Sequence, residues 1–301
     1  MLWKVGLAQC LAISRRCVDV DRDPVRPLLQ AGVYILLSVS PIFLLGGLFT
    51  SVANLFAGSI LTVFSAAILS NFFCLRIFEG AGLDHMGMPL NRLGVRNSLT
   101  GLILGFTAAA IVMLIPLLNG MASEVPAVTA TTSWRAQAFV PLMLVVGAAA
   151  EEILFRGYGF QVLLRSFGPF AAILPIGVLF GFMHSTNPHA SWLGIVNTAG
   201  FGMLFGVAFL RSHDIWYPFG IHLGWNFTLL LFGANISGIT IKVTSYEMAW
   251  RASARWSGGD YGPEGSVLTS AALVLAAFAV WKVHVNRQHA PLIDDVHSGK
   301  I

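Results

Sequence analysis

Two adjacent carboxylates and an arginine close a long uncharged stretch of this chain. After fifteen residues without charge, Ala136–Ala150, come Glu151 and Glu152, then Ile153, Leu154, Phe155 and Arg156. On a helix, Glu152 and Arg156 are four apart, stacked on one face and able to pair. Glu151 is turned about 100° away from Glu152 at 3.6 residues per turn. The spacing therefore separates a structural ion pair, Glu152–Arg156, from a carboxylate that faces a cavity unpaired. Desolvation of such a carboxylate suits it to act as a general base. Arg156 alone would fit a side chain snorkelling to a membrane interface. Two glutamates in an apolar run fit a functional site better, because an ionised side chain at the bilayer centre costs about 2.5–3.5 kcal/mol.

Two histidines also sit in apolar surroundings. His184 ends the run Leu179-Phe180-Gly181-Phe182-Met183, with Phe180 one turn before it, and His222 shares a helix face with Asn226. A lone buried histidine is as often an interhelical hydrogen bonder as a catalyst. A His–Asn pair, a second His and two glutamates are harder to explain as packing, since each unpaired polar group in hydrocarbon costs several kcal/mol. These groups are expected to converge on one hydrated pocket. His85, His189, His213, His284, His289 and His297 fall in or near loops and termini and read as solvated.

A carboxylate, two imidazoles and an amide can together hydrolyse an acyl bond. The carboxylate and one imidazole deprotonate a water; the second imidazole and the amide donate to the developing oxyanion. The alternative for the same donors is a zinc ion held by Glu151, His184 and His222 with one position left for water. No HExxH occurs, so the spacing itself carries no metal signal.

These residues must be positioned by membrane-spanning helices. Only 11% of the 301 residues are charged and 56% are hydrophobic, against about 25% charged in soluble domains; mean hydropathy is +0.74. Forty-nine consecutive residues between Arg26 and Arg76 carry no ionisable group other than Tyr34 and Cys74. That excludes disordered, nucleic-acid-binding and ordinary soluble-enzyme classes. The chain reads as an all-α polytopic transmembrane helical bundle of about eight spans: Leu28–Thr50, Ser59–Phe78, Ser98–Leu118, Ala138–Leu164, Phe170–His184, Ser191–Leu210, Ile215–Ala234 and Val267–Val283. The fourth is too long for one straight span and is expected to bend or turn amphipathic after Gly157. Thirteen Lys and Arg fall on one side against four on the other, which puts both termini in the cytoplasm. Four regions follow: residues 1–27, a cytoplasmic or interfacial arm; 28–136, N-terminal spans; 137–238, the core bearing the polar groups; and 239–301, an ordered loop, the last span and a cytoplasmic tail. Cys10, Cys17 and Cys74 have no pairing or ligand spacing and read as free thiols. One difficulty is visible in advance. His222 lies ~10 Å and His184 ~21 Å from the cytoplasmic ends of their helices at 1.5 Å per residue, so bent or tilted helices are expected, or helix boundaries displaced by about two turns.

Glu151-Glu152-Ile153-Leu154-Phe155-Arg156, Phe180-Gly181-Phe182-Met183-His184 and His222-Leu223-Gly224-Trp225-Asn226, in that order, resemble the EExxxR, FxxxH and HxxxN motifs of the CPBP family of intramembrane proteases. That family includes the type II CAAX prenyl endopeptidases and bacterial Abi and bacteriocin-immunity-like proteins. The likeness covers roughly residues 137–238; the glycine-rich stretch Trp256–Ser266 also resembles a loop of bacterial members. The resemblance implies an endopeptidase in which Glu151 and His184 activate water, His222 and Asn226 form the oxyanion hole, and Arg156 supports the glutamates, with no cofactor. It further implies a membrane-associated protein or peptide substrate, CAAX-like or other, the lipid bilayer as surroundings, no nucleic acid, and a place in the bacterial cytoplasmic membrane. Two other functions use similar residues: a non-catalytic scaffold or immunity protein, and a proton-coupled transporter. The absence of an inverted repeat argues against the transporter.

Overall fold

The computed structural model describes residues 24–127 and 133–295. Most of the N-terminal arm, with Cys10 and Cys17, and His297 lie outside the described residues. The order is α1 (Val25–Val52), α2 (Leu55–Cys74, carried on by a π-turn over Leu75–Glu79), α3 (Arg92–Leu118), β1 (Ala122–Pro126), α4 (Trp134–Arg156), α5 (Tyr158–Phe167), α6 (Pro169–Met183), α7 (Trp192–Ser212), α8 (Trp216–Leu231), β2 (Tyr246–Trp250), α9 (Ala254–Ser257), α10 (Val267–Lys282) and α11 (Pro291–Asp294). Six stretches are long and apolar enough to cross a membrane: Val25–Val52, Leu55–Glu79, Arg92–Leu118, Trp134–Phe167, Pro169–Thr186 and Trp192–Ser212. Phe43, Leu44, Ile103, Phe170 and Phe278 point outward from the bundle, a surface suited to lipid rather than water. The chain is an integral membrane protein.

The two remaining expected spans are helices of 16 residues each, α8 and α10. At 1.5 Å per residue they are ~24 Å long, short of a ~30 Å hydrocarbon core. α10 exposes Val274, Leu275 and Phe278, whereas α8 need not meet lipid along its whole length, because it is wrapped by its neighbours. Glycines bring it against α3: a methyl group on Gly101, Gly105, Gly220 or Gly224 would overlap backbone atoms of the facing helix. Small residues let the two backbones touch, and this fixes the height and rotation of the helix that carries His222 and Asn226.

The bundle has two distinct ends. At one, β1 and β2 pair antiparallel with Ala122 opposite Trp250 and Pro126 opposite Tyr246, forming a ribbon over the loops that join the helices there. At the other, the chain's last segment is tied in by polar contacts. Asp214 Oδ2 accepts from Asn97 Nδ2 at 2.6 Å and Gln288 Nε2 at 2.5 Å, and Tyr158 Oη donates to Glu79 Oε1 beside the Arg165–Glu79 ion pair. One expectation is corrected at this end. His213 is not solvated: it is buried, 3% exposed, with Nδ1 3.3 Å from Asp294 Oδ2. The residue takes a left-handed conformation at the C-terminus of α7, where the turn into α8 folds its ring inward beneath α11. Cys74 is buried as a free thiol.

The long fourth segment breaks at Gly157, as its length required. A break inside a membrane frees backbone groups that must find other partners. Asn71 on α2 supplies most of them: its Oδ1 accepts from Tyr158 N at 2.7 Å, and its Nδ2 donates to Ile153 O at 3.2 Å and Ala67 O at 2.7 Å. Tyr34 on α1 donates to Leu154 O at 2.6 Å. Replacing Asn71 by leucine keeps the volume and strands Tyr158 N and Ile153 O. Each unsatisfied group costs about 1–3 kcal/mol, so Asn71→Leu is expected to lower the thermal unfolding midpoint in detergent markedly. An unchanged midpoint would show that the break is held by packing alone.

Candidate active site

The break one residue after Arg156 sets the last turn of α4 across the middle of the bundle. Glu152 and Arg156 are both fully buried, with Nη1 3.2 Å from Oε2. Arg156 Nη2 donates to Gly202 O on α7 at 2.7 Å. Its guanidinium carbon also lies 5.2, 5.3 and 5.9 Å from the ring centres of Phe205, Phe180 and Phe155. Three aromatic faces, a carbonyl and a carboxylate replace its water, the combination that makes a buried cation tolerable.

Glu152 has a second partner that its spacing did not announce. Its Oε1 lies 2.9 Å from His222 Nδ1, 70 residues further on. An ionised carboxylate only accepts, so Nδ1 carries the hydrogen and Nε2 points away from Glu152. The Phe205 ring is stacked on the imidazole, 5.1 Å centre to centre and 14° from parallel. His222 is thus fixed on its face and at one nitrogen.

His184 starts the short 3-10 turn His184–Thr186 just past the end of α6. Its Nδ1 lies 2.8 Å from Phe180 O; a carbonyl cannot donate, so here too Nδ1 bears the hydrogen. The ring is folded back along its own helix, 4.8 Å from the Phe180 ring. The expected height difference does not keep the two histidines apart. Their Nε2 atoms meet at the same oxygen: Glu151 Oε2 is 4.0 Å from His184 Nε2 and 3.9 Å from His222 Nε2. That oxygen has no hydrogen-bond partner within the protein. Glu151 stands off the Glu152–Arg156 face, as the helical period required.

Asn226, one turn beyond His222, lines the same cavity. All six residues singled out by the sequence are therefore in one place: Glu151, His184, His222 and Asn226 around a cavity of about 130 Å³, with Glu152 and Arg156 behind its wall. The cavity runs from Glu151 past Gly147 and Met143 toward Phe56 and Ile60 in the first two turns of α2, and to Ile236, Ile239 and Ile241 near the ribbon. As zinc ligands, Glu151, His184 and His222 are slightly spread. Donors on a tetrahedron with 2.1 Å bonds sit about 3.4 Å apart, and among the described residues no three His, Cys, Asp or Glu side chains form a metal-holding group.

Glu264, which the sequence left without a role, also faces this cavity. Its Oε1 accepts from Trp225 Nε1 at 3.2 Å, and its Oε2 from Ser237 Oγ at 2.9 Å and from Ser237 N. Burial pushes its carboxyl above the ordinary glutamate range, while the Ser237 and Trp225 donors and the nearby His184 act the other way. Its only signal in the sequence is an acid beside Gly262 and Pro263, with no base nearby, in a loop otherwise suited to a turn.

Residues 133–228 match the family model described as Type II CAAX prenyl endopeptidase Rce1-like. That span takes in all six singled-out residues and stops short of Glu264. No curated protein matches the chain.

Proposed function

We propose that this chain, whose residues 133–228 belong to the CPBP family through its type II CAAX prenyl endopeptidase branch, is an intramembrane endopeptidase that hydrolyses a peptide bond of a membrane-associated protein. The observation that carries the reading is the meeting of both imidazole Nε2 atoms at Glu151 Oε2, which has no hydrogen-bond partner in the protein, at 4.0 and 3.9 Å. Those separations are too long for direct hydrogen bonds and suit groups bridged by one water. Such a water gives a proton to Glu151, with His184 Nε2 as second acceptor, and its oxygen attacks the substrate carbonyl. The oxyanion then forms on the side of His222 and Asn226. For Nε2 of His222 to donate, the ring must hold both protons, and Glu152 on one nitrogen and Glu151 near the other supply the countercharge. When the carbon–nitrogen bond breaks, the amine leaves with the proton first taken from water, and the carboxylate is restored. The family placement supports a peptidase; the roles of these side chains are the part under test.

The reaction in this form uses no metal ion. Incubation with a strong zinc chelator is expected to leave cleavage within twofold of its starting rate. Loss of cleavage that added zinc restores would instead favour an ion held by Glu151, His184 and His222. For orientation, eight Lys and Arg of the described residues lie at the end opposite the ribbon: Arg26, Arg76, Arg92, Arg96, Arg165, Arg211, Lys282 and Arg287. Four lie at the ribbon end or in its loops: Arg135, Lys242, Arg251 and Arg255. The excess supports our reading that the first end faces the cytoplasm; a bacterial cytoplasmic membrane is the surroundings we propose. The deciding experiment compares membrane-peptide termini in cells carrying wild type, Glu151→Ala and His184→Ala. Termini lost in both variants identify the substrate; identical termini in all three would refute the enzyme and leave a scaffold.

A further inference from the structure

Glu264 is the second carboxylate lining the cavity, after Glu151, and its contacts join pieces of chain that carry the candidate site. Through Trp225 Nε1 it holds the helix that carries His222 and Asn226, since Trp225 immediately precedes Asn226. Through Ser237 it holds the strap that follows α8. Ser237 O in turn accepts from Asn187 Nδ2 at 3.0 Å, and Asn187 directly follows the turn that starts with His184. The Glu264 backbone is anchored from a fourth direction: Asn197 Nδ2 on α7 donates to the Glu264 carbonyl O at 2.8 Å. A side chain 6% exposed with three donors on its two oxygens is an expensive fixture in a loop whose other residues need only make a turn.

From these contacts we infer that Glu264 is a positioning residue for the hydrolysis: it sets the distance between the His184 turn and the His222–Asn226 helix by clamping Trp225 and Ser237. It touches no reacting atom and supplies no proton. The inference rests on the endopeptidase reading. A clamp is needed here because α6 ends at Met183 and only the short 3-10 turn His184–Thr186 continues from it. The strap and loop between residues 235 and 266 do that work from outside the helices.

The test uses the full chain in phosphatidylethanolamine–phosphatidylglycerol vesicles. The probes are quenched-fluorescence peptides bearing one farnesyl or one palmitoyl chain. Glu264→Gln keeps shape and one acceptor oxygen but sets an amide N–H₂ against a donor; Trp225→Phe keeps the ring and removes the N–H. Each is expected to lower kcat roughly 10–100-fold, the scale of a misplacement of about 1 Å, with KM within twofold and the unfolding midpoint unchanged. Because one acts through the other, the double variant should be no slower than the worse single one. Hydrogen exchange should rise over residues 219–228 and 232–240 in Glu264→Gln. Wild-type kcat in Glu264→Gln, losses that multiply in the double variant, or a fall in rate matched by a fall in folded fraction would each overturn the inference. In all three of those results wild type cleaves and Glu151→Gln does not. If wild type and Glu151→Gln are equally inactive on every probe, the endopeptidase reading has failed and takes the positioning role with it.

Discussion

Replacing Glu151 by glutamine is expected to slow peptide cleavage roughly 10³–10⁴-fold, the upper part of the range for a lost general base, while the protein folds and unfolds as before. The side chain is 30% exposed toward the cavity, and its Oε2 has no partner in the protein. The fold therefore loses no bond when that oxygen becomes an amide. The amide has no basic lone pair for a proton from water, so the loss falls on the chemical step. Purified variants should bind the lipidated peptides normally and share one thermal midpoint, with kcat alone reduced. A Glu151→Gln protein retaining more than a tenth of wild-type kcat would remove this carboxylate from the mechanism.

Arg156→Leu is expected to have the largest effect on stability. It leaves Glu152 as a fully buried carboxylate with His222 as its one remaining partner, and it strands Gly202 O. Breaking a buried ion pair from one side costs about 3–5 kcal/mol, whereas replacing both partners by apolar groups is often neutral. The expected series is a strong fall in folded yield and thermal midpoint for Arg156→Leu, and recovery of both in Glu152→Leu/Arg156→Leu. Activity should not recover, because His222 Nδ1 then has no acceptor and the ring is free to turn. Recovery of cleavage along with stability would show that Glu152 serves Arg156 alone.

The legible part of the site was the part written within one helix turn. The i,i+4 relation of Glu152 to Arg156, the outward turn of Glu151 and the break after Gly157 all follow from helical period and span length, and the structure has each of them. Convergence of the six residues followed from the cost of polar groups in hydrocarbon. Two connections were not legible. The bond from Glu152 to His222 joins positions 70 residues apart and depends on the height of α8. That height is set by glycine contacts with α3, visible in the sequence only as pairs at i,i+4. Glu264 was hidden because a glycine-rich loop predicts a turn, not a turn that dips back into the bundle. The number of spans was less legible for a related reason. Hydropathy reports how apolar a helix is, and a helix packed among others, such as α8, can be apolar without being long enough to reach both surfaces. His213 reversed its expected exposure because loop position says nothing about what packs over a loop.

The fixing of both imidazoles at Nδ1 confines the traffic of protons in the cavity. Neither ring can relay a proton outward, since one Nδ1 ends at the Phe180 carbonyl and the other at a carboxylate sealed in by Arg156. In the proposed reaction, what water surrenders can rest only on the Glu151 oxygen or on Nε2 of His184, because Nε2 of His222 already carries a hydrogen. The departing amine draws its proton from those same atoms, so transfer in both directions shares one short path within the cavity.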